Sequence, residues 1–288
     1  MLNGEIHILG GMDNSTKHYK WNGTSWTSVS SLPIQFYHGS AVVLNNEIHI
    51  LGGYATQAAT KHYKWDGSSW TSVSTLPYSF YHGSAVVFNG EIHILGGDST
   101  SAAQTSHYKW DGSSWTKVST LPYKFYSNSA VVLNNEIHIL GSSATSPYTQ
   151  HYKWNSVSWT SVSTLPYNFN DGSAVVLNNE IHILGCYESS ARNSHYKLNG
   201  SSWVSVGSLP IPFYRGEAVV YNNAIHTLGS GAGNHQTAHY LVYRYVLTYT
   251  FLDYIISDEK TAYPDGAEHT DGYYYEAISG ANVTIDNV

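Results

Sequence analysis

The sequence predicts an all-β protein, built from copies of one four-stranded antiparallel unit set around a common axis. Three observations predict it. The phrase Glu-Ile-His-Ile-Leu begins at Glu5, Glu47, Glu91, Glu136 and Glu180, and returns as Ala-Ile-His-Thr-Leu from Ala224. The steps are 42, 44, 45, 44 and 44 residues, a period that marks stacked supersecondary units. Within each copy the apolar residues alternate with period 2, as strands do, and Asn-Asn, Asn-Gly or Asp-Gly pairs divide the runs where a tight turn needs positive φ. Such a wedge can hide its apolar sides only between two siblings.

The elements follow in a fixed order. Strand A is Ser-Ala-Val-Val, as at Ser84–Val87, followed by Asn89-Gly90 or, in most copies, Asn-Asn. Strand B is Glu-Ile-His-Ile-Leu and stops at a glycine, as at Gly96. After a loop of variable length, strand C begins at a His-Tyr pair: His18, His62, His107, His151, His195 and His239. Turns such as Asp66-Gly67 lead to strand D, which opens on Trp26, Trp70, Trp115, Trp159 or Trp203. It ends in Leu-Pro, because proline cannot donate to a ladder. The first copy begins at Met1 within the phrase and lacks strand A.

Composition agrees with an all-β chain. Only 11% of the 288 residues are charged and 14% are aromatic. The one cysteine, Cys186, excludes an intrachain disulfide framework. No stretch reaches the ~20 apolar residues of a membrane span, and Met1 runs straight into a strand with no leader-like segment. The net charge of −7 sits in the last forty residues, with Asp253, Asp258, Glu259, Asp265, Glu268, Asp271, Glu276 and Asp286 against Lys260. The repeats are therefore neutral, which argues against nucleic acid as a partner.

Four-stranded units of this length fit β-propeller blades. The apolar A strand, the B strand ending in Gly-Gly, the C-strand tyrosine and the D-strand tryptophan seven residues on (Tyr19 to Trp26, Tyr196 to Trp203) resemble the kelch repeats. Two features depart from kelch: histidine replaces the usual B-strand tyrosine, and the Gly pair is intact only at Gly10-Gly11, Gly52-Gly53 and Gly96-Gly97. The expected architecture is a six-bladed kelch-type propeller of four-stranded antiparallel blades over residues 1–252, with a short acidic β extension over 253–288. A five-bladed ring closed by Ala218–Tyr221 is the runner-up, and the start in mid-phrase suits a fragment of a longer protein. Ala238–Leu252 is long enough for strand C of blade six plus one more strand, and Tyr263–Glu276 reads as a hairpin or extended arm. That last segment resembles tail and fibre proteins of phages of Gram-positive bacteria.

Twelve of the 16 histidines fall in two series, one on strand B (His7, His49, His93, His138, His182, His226) and one on strand C. Rotation about the ring axis keeps equivalent positions too far apart to share a metal, so packing against the next blade's aromatics is expected. Trp21, Trp65, Trp110 and Trp154 read likewise as blade-to-blade anchors. Kelch-type copper oxidases use a cysteine-crosslinked tyrosine with further ligands. Cys186-Tyr187 offers no such set, so no metal and no cofactor is expected.

Function should lie where the copies differ. The A–B and C–D turns are nearly constant, whereas the B–C and D–A loops share the other face and vary. The B–C loops carry Asp13, Tyr54, Asp98, Tyr148, Glu188, Arg192 and His235; the D–A loops carry Tyr37-His38, Tyr81-His82, Tyr126-Ser127, Asn170-Asp171 and Tyr214-Arg215. The candidate ligand-binding residues are Tyr37, His38, Tyr54, Tyr81, His82, Tyr126, Asn170, Asp171, Tyr187, Arg192, Tyr214 and Arg215. Tyrosines interleaved with planar polar groups suit sugars. No nucleophile elbow or phosphate-cradling loop stands out, and Asp171, Glu188 and Glu217 are scattered. The expectation is a non-catalytic module binding a glycan or protein ligand, extracellular or virion-associated and part of a larger assembly. The alternatives are a cytoplasmic kelch interaction adaptor and a kelch-type sugar-processing enzyme of the mutarotase kind.

Overall fold

The computed structural model describes residues 1–11, 15–54, 59–97, 105–127, 129–142, 148–188, 190–233, 237–244, 273–279 and 282–287. The described residues form six antiparallel sheets and no α-helix. Blade one is β1 (Ile6–Leu9), β2 (His18–Trp21) and β3 (Trp26–Ser28). Blade two is β4 (Ser40–Leu44), β5 (Glu47–Leu51), β6 (Lys61–Trp65) and β7 (Trp70–Thr75). Blade three is β8 (Ser84–Phe88), β9 (Glu91–Leu95), β10 (Ser106–Trp110) and β11 (Trp115–Thr120). Blade four is β12 (Ser129–Leu133), β13 (Glu136–Leu140), β14 (His151–Trp154) and β15 (Trp159–Ser161). Blade five is β16 (Ser173–Leu177), β17 (Glu180–Tyr187), β18 (Ala191–Asn199) and β19 (Ser202–Ser208). Blade six is β20 (Glu217–Tyr221), β21 (Ala224–Leu228) and β22 (His239–Arg244), extended by β23 (Tyr273–Ser279) and β24 (Asn282–Asn287).

The A strands are innermost. Each touches its neighbour around the axis, β4 to β8, β8 to β12, β12 to β16 and β16 to β20. Between them runs a channel of about 350 Å³, lined by Val42, Val43, Val86, Val87, Val131, Val132 and Val176. Adjacent A strands are also stitched by serine: Ala85, Ala130, Ala174 and Ala218 each donate their N–H to the Oγ of the preceding blade's Ser40, Ser84, Ser129 or Ser173 at 3.0–3.1 Å.

The ring closes. Ile6, Trp21 and Trp26 of blade one pack with Leu228, Val219 and Tyr221 of blade six. β20 pairs with β21 inside its own blade, so the five-bladed alternative, in which this segment would close blade one, does not hold. In blade one the strand-A position is held among the described residues only by Leu2, whose bridge to Glu5 mirrors that of Leu44 to Glu47. At the other end, β23 pairs with β22 in the strand-D position of blade six, and β24 adds beyond it. A hairpin thus forms within the C-terminal extension, further along than the sequence suggests; residues 245–272, which include both Asp-Gly pairs and the end of the Ala238–Leu252 run, lie outside the described residues.

Eleven of these twelve histidines are buried, His7 of the three-stranded first blade being half-buried, and the two series meet inside each blade. His7 and His18, His49 and His62, His93 and His107, His138 and His151, His182 and His195, and His226 and His239 are joined Nδ1 to Nε2 at 2.7–2.9 Å. In blades one to three the strand-C imidazole then meets the next blade's tryptophans edge-on, as His62 does with Trp110 at 5.4 Å. The same contact joins His239 to Trp21 at 5.3 Å, across the closure. Burial holds these rings neutral, at about 4 for His93 and about 3 for His107. Among the described residues, no three His, Cys, Asp or Glu side chains converge as metal ligands.

Candidate functional site

Each D–A loop carries a phenylalanine, three residues after its proline, that the fold consumes. Phe36, Phe80, Phe125, Phe169 and Phe213 are buried plugs between blades. The glycine ending strand B accommodates them: Gly52 has φ +64°, and a Cβ there would lie 1.8 Å from the Phe80 carbonyl oxygen. This first glycine is kept in all six copies. The second is not, and Ser142, Cys186 and Ser230 stand in its place. Cys186 is fully buried and its thiol is pushed up to about 12, which marks packing rather than reactivity.

The residues after the plug turn toward the channel. Tyr37, Tyr81, Tyr126, Asn170 and Tyr214 are half-buried. The next residue in each loop (His38, His82, Ser127, Asp171, Arg215) holds φ between 52° and 57°. That is the left-handed region, which favours glycine. These five residues are linked through their backbones. The His82 N–H donates to the His38 carbonyl at 2.7 Å, Ser127 to His82 at 2.8 Å, Asp171 to Ser127 at 2.8 Å, and Arg215 to Asp171 at 2.7 Å. A polar arc spanning five blades therefore rims the channel mouth.

Its side chains interact in sequence. The His38 and His82 rings lie against each other, with centroids 3.8 Å apart and planes tilted by 31°. His82 Nδ1 lies 3.1 Å from Ser127 Oγ. Arg215 Nε donates to Asp171 Oδ2 at 3.1 Å. Burial, His38 and Arg215 together bring the His82 imidazole down to about 3; burial chiefly lowers His38 as well, with Arg215 lowering it and Asp171 raising it. At neutral pH the arc therefore presents two uncharged imidazoles, a hydroxyl and one ion pair.

Aromatic rings stand at the rim. Tyr54 lies 5.5 Å from Tyr37 and 5.3 Å from Tyr81. Tyr126 lies 4.7 Å from His82, and Tyr187 4.9 Å from Tyr214. Of the twelve candidates from sequence, the structure gathers His38, His82, Asp171 and Arg215 into the arc and sets Tyr37, Tyr54, Tyr81, Tyr126, Tyr187 and Tyr214 around it. Asn170 supports the rim through its carbonyl, which accepts the Tyr187 N–H at 3.0 Å. Arg192 is engaged elsewhere, with the Glu188 carboxylate and over the Tyr167 ring at 5.8 Å. Glu188 also accepts from Asn168 Nδ2 at 2.7 Å, and these bonds hold its carboxyl below the usual range. Asp13, Asp98 and His235 lie outside the described residues. Ser127, read from sequence as a D–A loop residue beside Tyr126 but left out of the twelve candidates, completes the arc, at the same place after Tyr126 as His38 holds after Tyr37.

No protein-family model matches the sequence, and no curated protein sequence matches it. Among solved structures, one described as "Structure of YjhT" superposes with a TM-score of 0.72 at 14% identity, over 85% of this chain and 93% of that chain. This chain is a six-bladed β-propeller. At such low identity the likeness carries the fold alone, and 266 solved chains match, so the propeller does not single out an activity.

Proposed function

We propose that this propeller is a non-catalytic binding module that holds a glycan at the channel mouth. One observation carries the reading. At all five arc positions a side chain occupies backbone that glycine would adopt without strain. Strain kept at five equivalent places, each with a polar side chain and four kinds among them, points to groups retained for contact with a ligand. Neutral imidazoles, a hydroxyl and an Arg–Asp pair offer donors and acceptors to sugar hydroxyls, and the tyrosines offer faces to sugar C–H surfaces. The resemblance of Tyr263–Glu276 to tail and fibre segments supports a phage tail or bacterial surface as the setting.

A glycan array tests this, with wild-type protein compared with Arg215→Ala and His82→Ala. Binding that both variants weaken by tenfold or more supports the reading. An array without hits, alongside tight capture of a folded protein ligand, would replace it with the adaptor reading. The sugar-processing alternative draws on Glu217, two residues from Arg215. Its carboxylate is exposed and accepts a hydrogen bond from Ser173 Oγ at 3.4 Å, a place from which a carboxyl can exchange a proton with a bound sugar. Turnover of a sugar that Glu217→Gln abolishes would establish that alternative.

A further inference from the structure

We infer that the ligand is a linear glycan several units long, lying across the mouth from blade two to blade five. This rests on the glycan reading above. Two residues beyond the glycine kept in strand B, the six copies carry Met12, Tyr54, Asp98, Ser143, Tyr187 and Gly231, Tyr187 being the last residue of the longer β17. Only blades two and five have an aromatic there. Three steps apart in a ring of six, they face each other across the axis.

The structure presents these two rings in the same way. The Tyr54 N–H donates to the Tyr37 carbonyl at 2.8 Å, and the Tyr187 N–H to the Asn170 carbonyl at 3.0 Å, so both tyrosines are tied to the preceding D–A loop at the same point. Tyr54 is 55% exposed and Tyr187 40%, the exposed aromatics among the described residues up to Val242. Each is backed by a second ring, Tyr54 by Tyr37 and Tyr81, and Tyr187 by Tyr214. The polar arc lies between them.

The span decides the length of the ligand. Neighbouring sheets pack about 10 Å apart, so opposite members of a six-membered ring stand on the order of 20 Å apart. One sugar ring cannot touch both tyrosines, whereas a short linear chain can stack on both and offer its middle hydroxyls to the arc. A protein partner would call for a contiguous apolar centre, and here the centre is polar with the aromatics set apart at its edges. Arg215 and Asp171 neutralise each other, which suits an uncharged chain.

The test uses homo-oligomers of glucose, galactose, mannose and N-acetylglucosamine, α- and β-linked, from monosaccharide to hexasaccharide, with wild-type protein, Tyr54→Ala, Tyr187→Ala and the double variant. The inference expects binding confined to the longer members of one series. Each single variant should lose about tenfold in affinity for them, and the double variant more than either. Equal binding of mono- and hexasaccharide, or a long-chain affinity indifferent to either tyrosine, overturns the inference and leaves the glycan reading intact. Binding to none of the sugars overturns both. Unchanged circular dichroism and melting temperature show that the variants fold.

Discussion

His38, His82, Ser127, Asp171 and Arg215 share a left-handed backbone that costs an L side chain about 1–2 kcal/mol relative to glycine. Arg215 gives the cleanest test, because its side chain is 45% exposed and its ion pair with Asp171 is worth at most about 1 kcal/mol. Arg215→Gly is expected to leave stability unchanged or raise it by up to about 1 kcal/mol in urea unfolding, while ligand affinity falls. A loss of more than about 2 kcal/mol would show that the arc is scaffold. The Phe-Tyr-His-Gly string of the first and second D–A loops named the right residues in sequence but could not separate their duties. Phe36 and Phe80 vanish into the core while the next two residues face the mouth. That division depends on the close approach at Gly10 and Gly52, a contact between blades that no single copy reveals.

Between neighbouring elements the histidine pairs dominate. In blades two and three a consistent assignment has Trp115 Nε1 donating to Ser74 Oγ, Ser74 to His62 Nδ1, and His62 Nε2 to His49 Nδ1. Each link needs neutral rings. In the unfolded chain an imidazole takes up its proton near pH 6.5, whereas His107 and His151 stay neutral to about 3, and His93 and His138 to about 4. Acid therefore favours the unfolded chain first. The stabilisation is complete above about pH 6.5 and is lost as pH falls toward 4 and then 3. At about 1.4 kcal/mol per ring per unit, several such rings reach the typical net stability of a domain near pH 5. Tryptophan fluorescence should report cooperative unfolding between pH 6 and 4, and a melting temperature unchanged over that range would contradict it. Gly52→Ala is a second probe of the elements. With a Cβ 1.8 Å from the Phe80 carbonyl oxygen it should cost more than about 3 kcal/mol in chemical denaturation, and near-neutral behaviour would remove the close approach from the account. The strand pattern itself was open to sequence reading because period 2 and Asn-Asn turns are local. The lysine–glutamate pairs between strands B and C, such as Lys64–Glu47 at 2.9 Å, are legible only once register is known; blade six replaces both partners together, with Ala224 and Leu241.

At the scale of the whole molecule, the period announced the ring, but its closure depends on contacts between residues more than two hundred positions apart, such as Trp21 and His239. Blade one is the weak sector. Its β1 is an edge, and Ile8 and Leu9 are only half-buried where Ile50 and Leu51 are fully buried. The channel mouth exists only if the sheets form a ring, so the decisive measurement is the separation of spin labels at Asn22→Cys and Asn222→Cys by pulsed electron resonance, with Cys186 replaced by serine. Gly23 and the Tyr221 hydroxyl adjoin across the closure, so labels within about 20 Å of each other are expected. Six sheets in an open row at ~10 Å spacing would instead put them about 50 Å apart, and that result would contradict the ring and the site built on it.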